Sequence, residues 1–169
     1  MASILIGVMG PGETATTAQQ VTARALGTHI AQQDWVLLTG GRNVGVMAAA
    51  SEGAHNAGGL VVGILPGANT QGMSPFVDIP ILTDQGQGRN AINVLSCQVV
   101  VACGLGPGTL AEIGLALKAQ RPLVLMEMPP TLPPMVRGLA TSPVTVAAEV
   151  SQAITQIHQH LLHGISVSH

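Results

Sequence analysis

CGLGPGTLAEIGLALK, residues 103–118, is the stretch that decides the fold. It follows QVVVA at 98–102, an apolar run without polar alternation, and opens a segment of helical spacing that continues to residue 120. An apolar strand, a glycine-rich loop and a helix in that order make the βα unit of a parallel sheet covered on both faces. Glycine lets backbone amides approach a ligand with no Cβ in between. A helix starting near Thr109 aims its unpaired N–H groups and positive dipole end at the same place. The guest such a loop suits is an anion, phosphate above all. The spacing is GxGxG followed by Thr, neither the dinucleotide GxGxxG nor the Walker GxxxxGK[ST], and no acidic residue closes the second strand to hold an adenosine ribose.

The same unit repeats along the chain. Apolar runs at 3–9, 35–38, 60–65, 98–102, 123–126 and 144–147 read as strands, with a further candidate at 77–83 that Pro80 confines to an edge or a bulge. Segments 14–33, 44–57, 89–97, 109–120 and 147–162 read as helices, and MPPTLPP at 128–134 as a rigid loop near a subunit contact. The alternation predicts a doubly wound, Rossmann-like α/β fold: a mostly parallel sheet with helices on both faces. It is expected to form a single domain over 1–163, with 164–169 a frayed tail. Ligands of such sheets bind beyond the carboxyl ends of the strands, where strand order reverses. The glycines gather there, in Gly10-Pro11-Gly12, Thr39-Gly40-Gly41-Arg42-Asn43, Pro66-Gly67 and Gly104–Thr109.

Composition narrows the partners. Of 169 residues 47% are hydrophobic and 8% charged, against roughly 25% charged in an average soluble domain. So little charge implies helix faces buried against other copies, hence a homo-oligomer, dimer or tetramer. A net charge of −2, one Phe, one Trp and no Tyr argue against nucleic acid. Cys97 and Cys103 have no zinc spacing and read as buried, inert thiols. His158, His160 and His163 read as an exposed helix end, and no metal site is expected. No run is long enough to span a membrane, and the start lacks a basic region before an apolar stretch broken by Gly7, Gly10 and Pro11, so a cytoplasmic location is expected.

Individual residues leave alternatives open. Thr109 and Glu112 have the spacing of a capping box, with Thr109 at the cap. Arg89 suits either a ligand contact or a surface salt bridge. Arg42, in a βα loop, suits a phosphate or a backbone carbonyl.

GVM at 7–9, LLTGGRNVGVM at 37–47, GGLVVGILPG at 58–67, GRN at 88–90 and GLGPGTLAEIGLALK at 104–118 together resemble the SLOG superfamily. The resemblance runs from 3 to 126 and is greatest to the branch of molybdenum cofactor carrier proteins. Better-known relatives are the LONELY GUY phosphoribohydrolases, with the signature PGGxGTxxE and an Arg fifteen residues before it. Here Gly106, Gly108, Thr109 and Glu112 match, and Arg89 stands fifteen residues before Gly104. Gly104 replaces the Pro, Leu105 the first Gly, and Asn90 the basic residue after the Arg. Leu105 is expected to narrow the approach to the loop.

The resemblance implies a carrier of a phosphorylated small molecule, the molybdenum cofactor (molybdopterin with its metal), gripped by Gly10, Gly12, Gly40, Gly41, Arg42, Arg89, Asn90, Gly104, Gly106, Pro107, Gly108, Thr109 and Glu112. Such carriers are tetramers and hand their cargo to molybdoenzyme apoproteins. The alternative it implies is a nucleoside 5′-monophosphate phosphoribohydrolase releasing free base and ribose 5-phosphate. In that case Glu112 acts at the ribose carbon or on the attacking water, and Arg89 on the departing base.

Overall fold

A computed structural model gives the structure of residues 3–165. The strands are β1 (Leu5–Met9), β2 (Val36–Thr39), β3 (Val61–Leu65), β4 (Ile79–Leu82), β5 (Val99–Cys103), β6 (Leu123–Met126) and β7 (Val144–Val146). The helices are α1 (Thr17–Gln32), α2 (Gly45–Asn56), α3 (Arg89–Leu95), α4 (Pro107–Lys118), α5 (Leu132–Leu139) and α6 (Val150–Ile165). The strands form one sheet in the order β4-β3-β2-β1-β5-β6-β7, and every pairing is parallel. The doubly wound α/β expectation holds.

Strand β5 shows why both faces must be covered. Val99, Val101 and Cys103 join Ile6 and Val8 under α1, α2 and α6, while Val100 and Ala102 face Val94 of α3, Ile113 of α4 and Val136 of α5. Each fully buried aliphatic side chain of this kind contributes about 1.5–3 kcal/mol, which two polar faces could not supply. Cys97 and Cys103 are both buried, and burial pushes each thiol up to about 12. Edge strand β4 carries Pro80, as the missing N–H requires.

Helices α1 and α2 cross through glycine. A Cβ on Gly27 would overlap the Ala50 carbonyl oxygen, and one on Gly53 the Arg24 carbonyl oxygen. Backbone cannot yield as a flexible side chain does, so Gly27→Ala is expected to cost about 1–3 kcal/mol. A urea titration would read this as a lower midpoint with unchanged slope.

The structure corrects three local expectations. The Pro-rich stretch is a loop only as far as Thr131; Pro133 and Pro134 lie in the first turn of α5, where a missing N–H costs nothing. The capping box belongs to α1, not α4: Thr16 Oγ1 accepts from the Gln19 amide at 3.1 Å, and Gln19 Oε1 accepts from the Thr16 amide at 3.0 Å. Helix α6 runs to Ile165, and of the tail expected at 164–169 residues 166–169 lie outside the described residues. Its histidines are not a uniformly exposed end. His160 is buried, its ring Nε2 3.1 Å from Thr145 Oγ1, and burial lowers its pKa, helped by nearby His163. His158 is exposed as expected, though its ring lies beside the buried Trp35, with centroids 4.6 Å apart.

Candidate functional site

Strand order reverses between β1 and β5, and the loops that follow these two strands part at that point. A cleft of about 590 Å³ opens there, large enough for a cofactor-sized ligand. Its walls are Gly10, Gly12 and Glu13 after β1, Gly40 and Arg42 after β2, Pro66 after β3, Arg89 and Asn90 at the start of α3, and Gly106, Pro107, Gly108, Thr109 and Glu112 of α4. Gly41 and Gly104, named with these from the sequence, lie outside the lining. Both have left-handed backbone, φ +77° and +84°, and serve their turns: Gly41 backs onto Gly63, and Gly104 is covered by the Gln19 side chain. Leu105 does not narrow the cleft either; its side chain packs into the core beneath α4.

Helix α4 begins two residues earlier than the sequence predicts, with Gly106 at the N-cap, Pro107 in the first turn and no side-chain cap. Leu110 is the first residue whose amide bonds back, to Gly106 O at 2.9 Å. The Gly108 and Thr109 amides therefore belong to the first turn, which has no intrahelical acceptor. A Cβ on Gly108 would meet nothing within 4 Å, so this glycine keeps the approach open rather than serving the fold. Starting at Gly106 also places Thr109 and Glu112 inside the helix, which excludes the capping box between them.

Their side chains form the floor of the cleft instead. Thr109 is 2% exposed, Glu112 7% and Arg89 8%. Arg89 is not a surface residue, and among the described residues it forms no ion pair. It reaches under Gly40, where a Cβ would stand 2.5 Å from Nη1. Three buried polar atoms here have no hydrogen-bond partner: Arg89 Nε, Asn93 Oδ1 and Thr109 Oγ1. Asn93 Nδ2 donates to Glu112 Oε1 at 3.1 Å. Burial raises the Glu112 carboxyl to about 7, against the opposing pull of the Asn93 hydrogen bond and the Arg89 charge. Arg89 is shifted down, first by burial, while Glu112 opposes the shift and Arg42 adds to it. Unpaired buried donors are costly in a folded chain, and a ligand that pairs with them recovers that cost. The floor thus offers a guanidinium, a hydroxyl and helix amides to one anion.

The rim is different. Arg42 Nη2 donates to Glu13 Oε1 at 2.6 Å, so Arg42 meets a carboxylate, not the carbonyl that its loop position allowed. Glu13 had no motif to announce it. Asn93 did have a signal: it lies four residues after Arg89, on the same face of α3. Met9 and Met47 add thioethers to the wall; Met47 Sδ would stand 2.6 Å from a Cβ on Gly40.

The sequence profile of the SLOG cluster4 family matches residues 3–160. The chain belongs to this family. Three proteins are similar to it along most of their length. The molybdenum cofactor binding protein from the phototrophic bacterium Rippkaea orientalis is 49% identical with a TM-score of 0.92, over 95% of this chain and 99% of that one. The Moco carrier protein from Chlamydomonas reinhardtii is 47% identical with a TM-score of 0.90, over 96% of this chain and 99% of that one. A protein of unassigned function from Archaeoglobus fulgidus is 40% identical over 124 residues, 73% of this chain and 80% of its own length.

Proposed function

We propose that this SLOG cluster4 protein is a carrier of the molybdenum cofactor, binding it through its phosphate and releasing it to a molybdoenzyme apoprotein. The observation that carries the reading is the buried Arg89, whose Nε lacks a partner beside the open first turn of α4. Phosphate on the Gly108 and Thr109 amides would supply the acceptor. The likeness to two proteins named for binding or carrying this cofactor supports the choice of ligand. The test is mass spectrometry and metal analysis of protein purified without oxygen, where pterin and molybdenum in a constant ratio to protein are expected. Substituting Gly108 by Val is expected to abolish retention with the fold intact; equal retention would place the phosphate elsewhere.

A second reading rests on Glu112. Freed from capping, with its pKa near neutrality and Arg89 beside it, it has the surroundings of a working carboxyl. Incubation with adenosine monophosphate decides between the two readings. Steady release of base and ribose 5-phosphate, lost in Glu112→Gln, would favour the phosphoribohydrolase.

The carrier is proposed to act as a homo-oligomer in the cytoplasm. Leu95 on α3, Leu110 on α4, and Met135 and Leu139 on α5 are 57%, 47%, 55% and 69% exposed on one side of the sheet, and among the described residues no helix is long and apolar enough to cross a membrane. Light scattering at micromolar concentration tests the assembly; a particle of monomer mass would overturn it.

A further inference from the structure

The cleft holds two guanidinium groups in opposite circumstances. Arg89 is buried without an ion pair, whereas Arg42 is half exposed and already engaged by Glu13 at 2.6 Å. Both arginines line the same space, and the Arg42 charge is felt at Arg89. An anion bound between the floor and the rim therefore meets Arg42 and, with it, the Glu13 carboxylate.

The backbones that carry this pair are held. The Val46 amide donates to Pro11 O at 3.0 Å, and a Cβ on Gly45 would overlap the Pro11 and Gly12 carbonyl oxygens, so the loops after β1 and β2 are in contact. Arg42 itself is bridged to Met73, and the Asn43 amide donates to Gly72 O at 2.8 Å. Neither loop can carry its charge away from the other. The guanidinium passes above Gly12, where a Cβ would stand 3.9 Å from Nη1, and the missing side chain leaves it room to turn. Only side-chain rotation separates an Arg42 bound to Glu13 from an Arg42 turned toward a ligand.

We propose that Glu13 is a built-in competitor for the anionic ligand: its carboxylate holds Arg42 and sets how tightly, and for how long, the cleft keeps its cargo. This rests on the anion-carrier reading and adds a residue whose role is to weaken binding. A backbone hydrogen bond at Glu13 and then the Arg42 guanidinium keep its carboxyl below its ordinary value, so the competitor is charged throughout the neutral range. For a carrier the arrangement has a use. A ligand held by Arg89, the α4 amides and an uncontested Arg42 would leave slowly, and Glu13 shortens its stay by offering Arg42 an alternative partner.

The test is a double-mutant cycle with inorganic phosphate as the probe, read by titration calorimetry at fixed ionic strength. Glu13→Gln keeps the size of the side chain and removes the charge; it is expected to bind phosphate roughly 2- to 5-fold more tightly, the range an exposed ion pair can supply. Arg42→Gln is expected to bind more weakly, and the double variant to match Arg42→Gln alone. Unchanged affinity in Glu13→Gln overturns the proposal, as does a gain that survives in the double variant, because Glu13 would then repel the anion directly. Failure of wild type and Glu13→Gln alike to bind millimolar phosphate overturns it too. The cofactor assay fails separately: protein that retains no pterin but shows the phosphate cycle is a carrier of some other anion, with the same competitor.

Discussion

Arg89→Ala is expected to weaken binding of the phosphorylated ligand by roughly 100-fold or more, the usual result of removing one partner from a buried, charge-assisted contact. Its effect on stability should be small, because among the described residues Arg89 Nε has no hydrogen-bond partner and the guanidinium no ion pair, while it bears the cost of burial. The combination is diagnostic. A residue that only supports the fold would lose stability first and binding in proportion, whereas here the melting temperature should hold while retention collapses. Arg89→Lys should recover part of the affinity, since a point charge replaces a planar fork. Calorimetric titration alongside thermal denaturation of the same preparations reads both effects, and a large drop in melting temperature in Arg89→Ala would contradict the assignment.

Glu112→Gln is expected to stabilise the protein at alkaline pH. The folded-state pKa of about 7 lies above the ordinary 4.5, so the folded state binds more protons than the unfolded chain between these values. Stability therefore falls as pH rises through that window, reaching a penalty of about 3 kcal/mol above it. Below pH 4.5 the carboxyl is protonated in both states and the penalty disappears. Glutamine carries no charge to desolvate and can still accept from Asn93, so the variant should lose this slope and exceed the wild type most at pH 8. Urea midpoints at pH 5 and pH 8 check the sign. A wild type no less stable at pH 8 than at pH 5, relative to Glu112→Gln, would mean that Glu112 is ionised in the fold throughout.

The same ligand should feel the same proton. An anion near Glu112 meets a neutral carboxyl below pH 7 and a charged one above it, so retention should weaken as pH rises.

How much of this was legible in the sequence varied with the physics behind each element. The parallel strands announced themselves because burial on both faces removes polar alternation, as in the run ending at Cys103. Pro80 placed β4 at the edge correctly, since a missing N–H has few tolerable positions. Helix α5 escaped notice because Pro133 and Pro134 look like breakers, although in a first turn they are harmless. The capping spacing at Thr109 misled for a related reason: residues three apart are neighbours anywhere on a helix, and Pro107 is the better marker of its start. Most of the cleft came from glycines that the βα pattern assembles on one rim. Glu13 did not, because its meaning comes only from a loop twenty-nine residues away that brings Arg42 within 2.6 Å. Arg89 was found by its spacing, but whether it was buried or exposed depended on how α3 sat against α4.

The glycine crossing of α1 and α2 reaches further than the stability of the helix pair. The loop with Glu13 runs into α1 and the loop with Arg42 into α2, so the close approach at Gly27 and Gly53 sets the spacing of the two helices that launch the rim charges. A methyl group in this seam would strain the hydrogen bond from the Val46 amide to Pro11 O that ties the two loops together, and a search for weak carriers among natural variants should look along this seam as well as in the cleft.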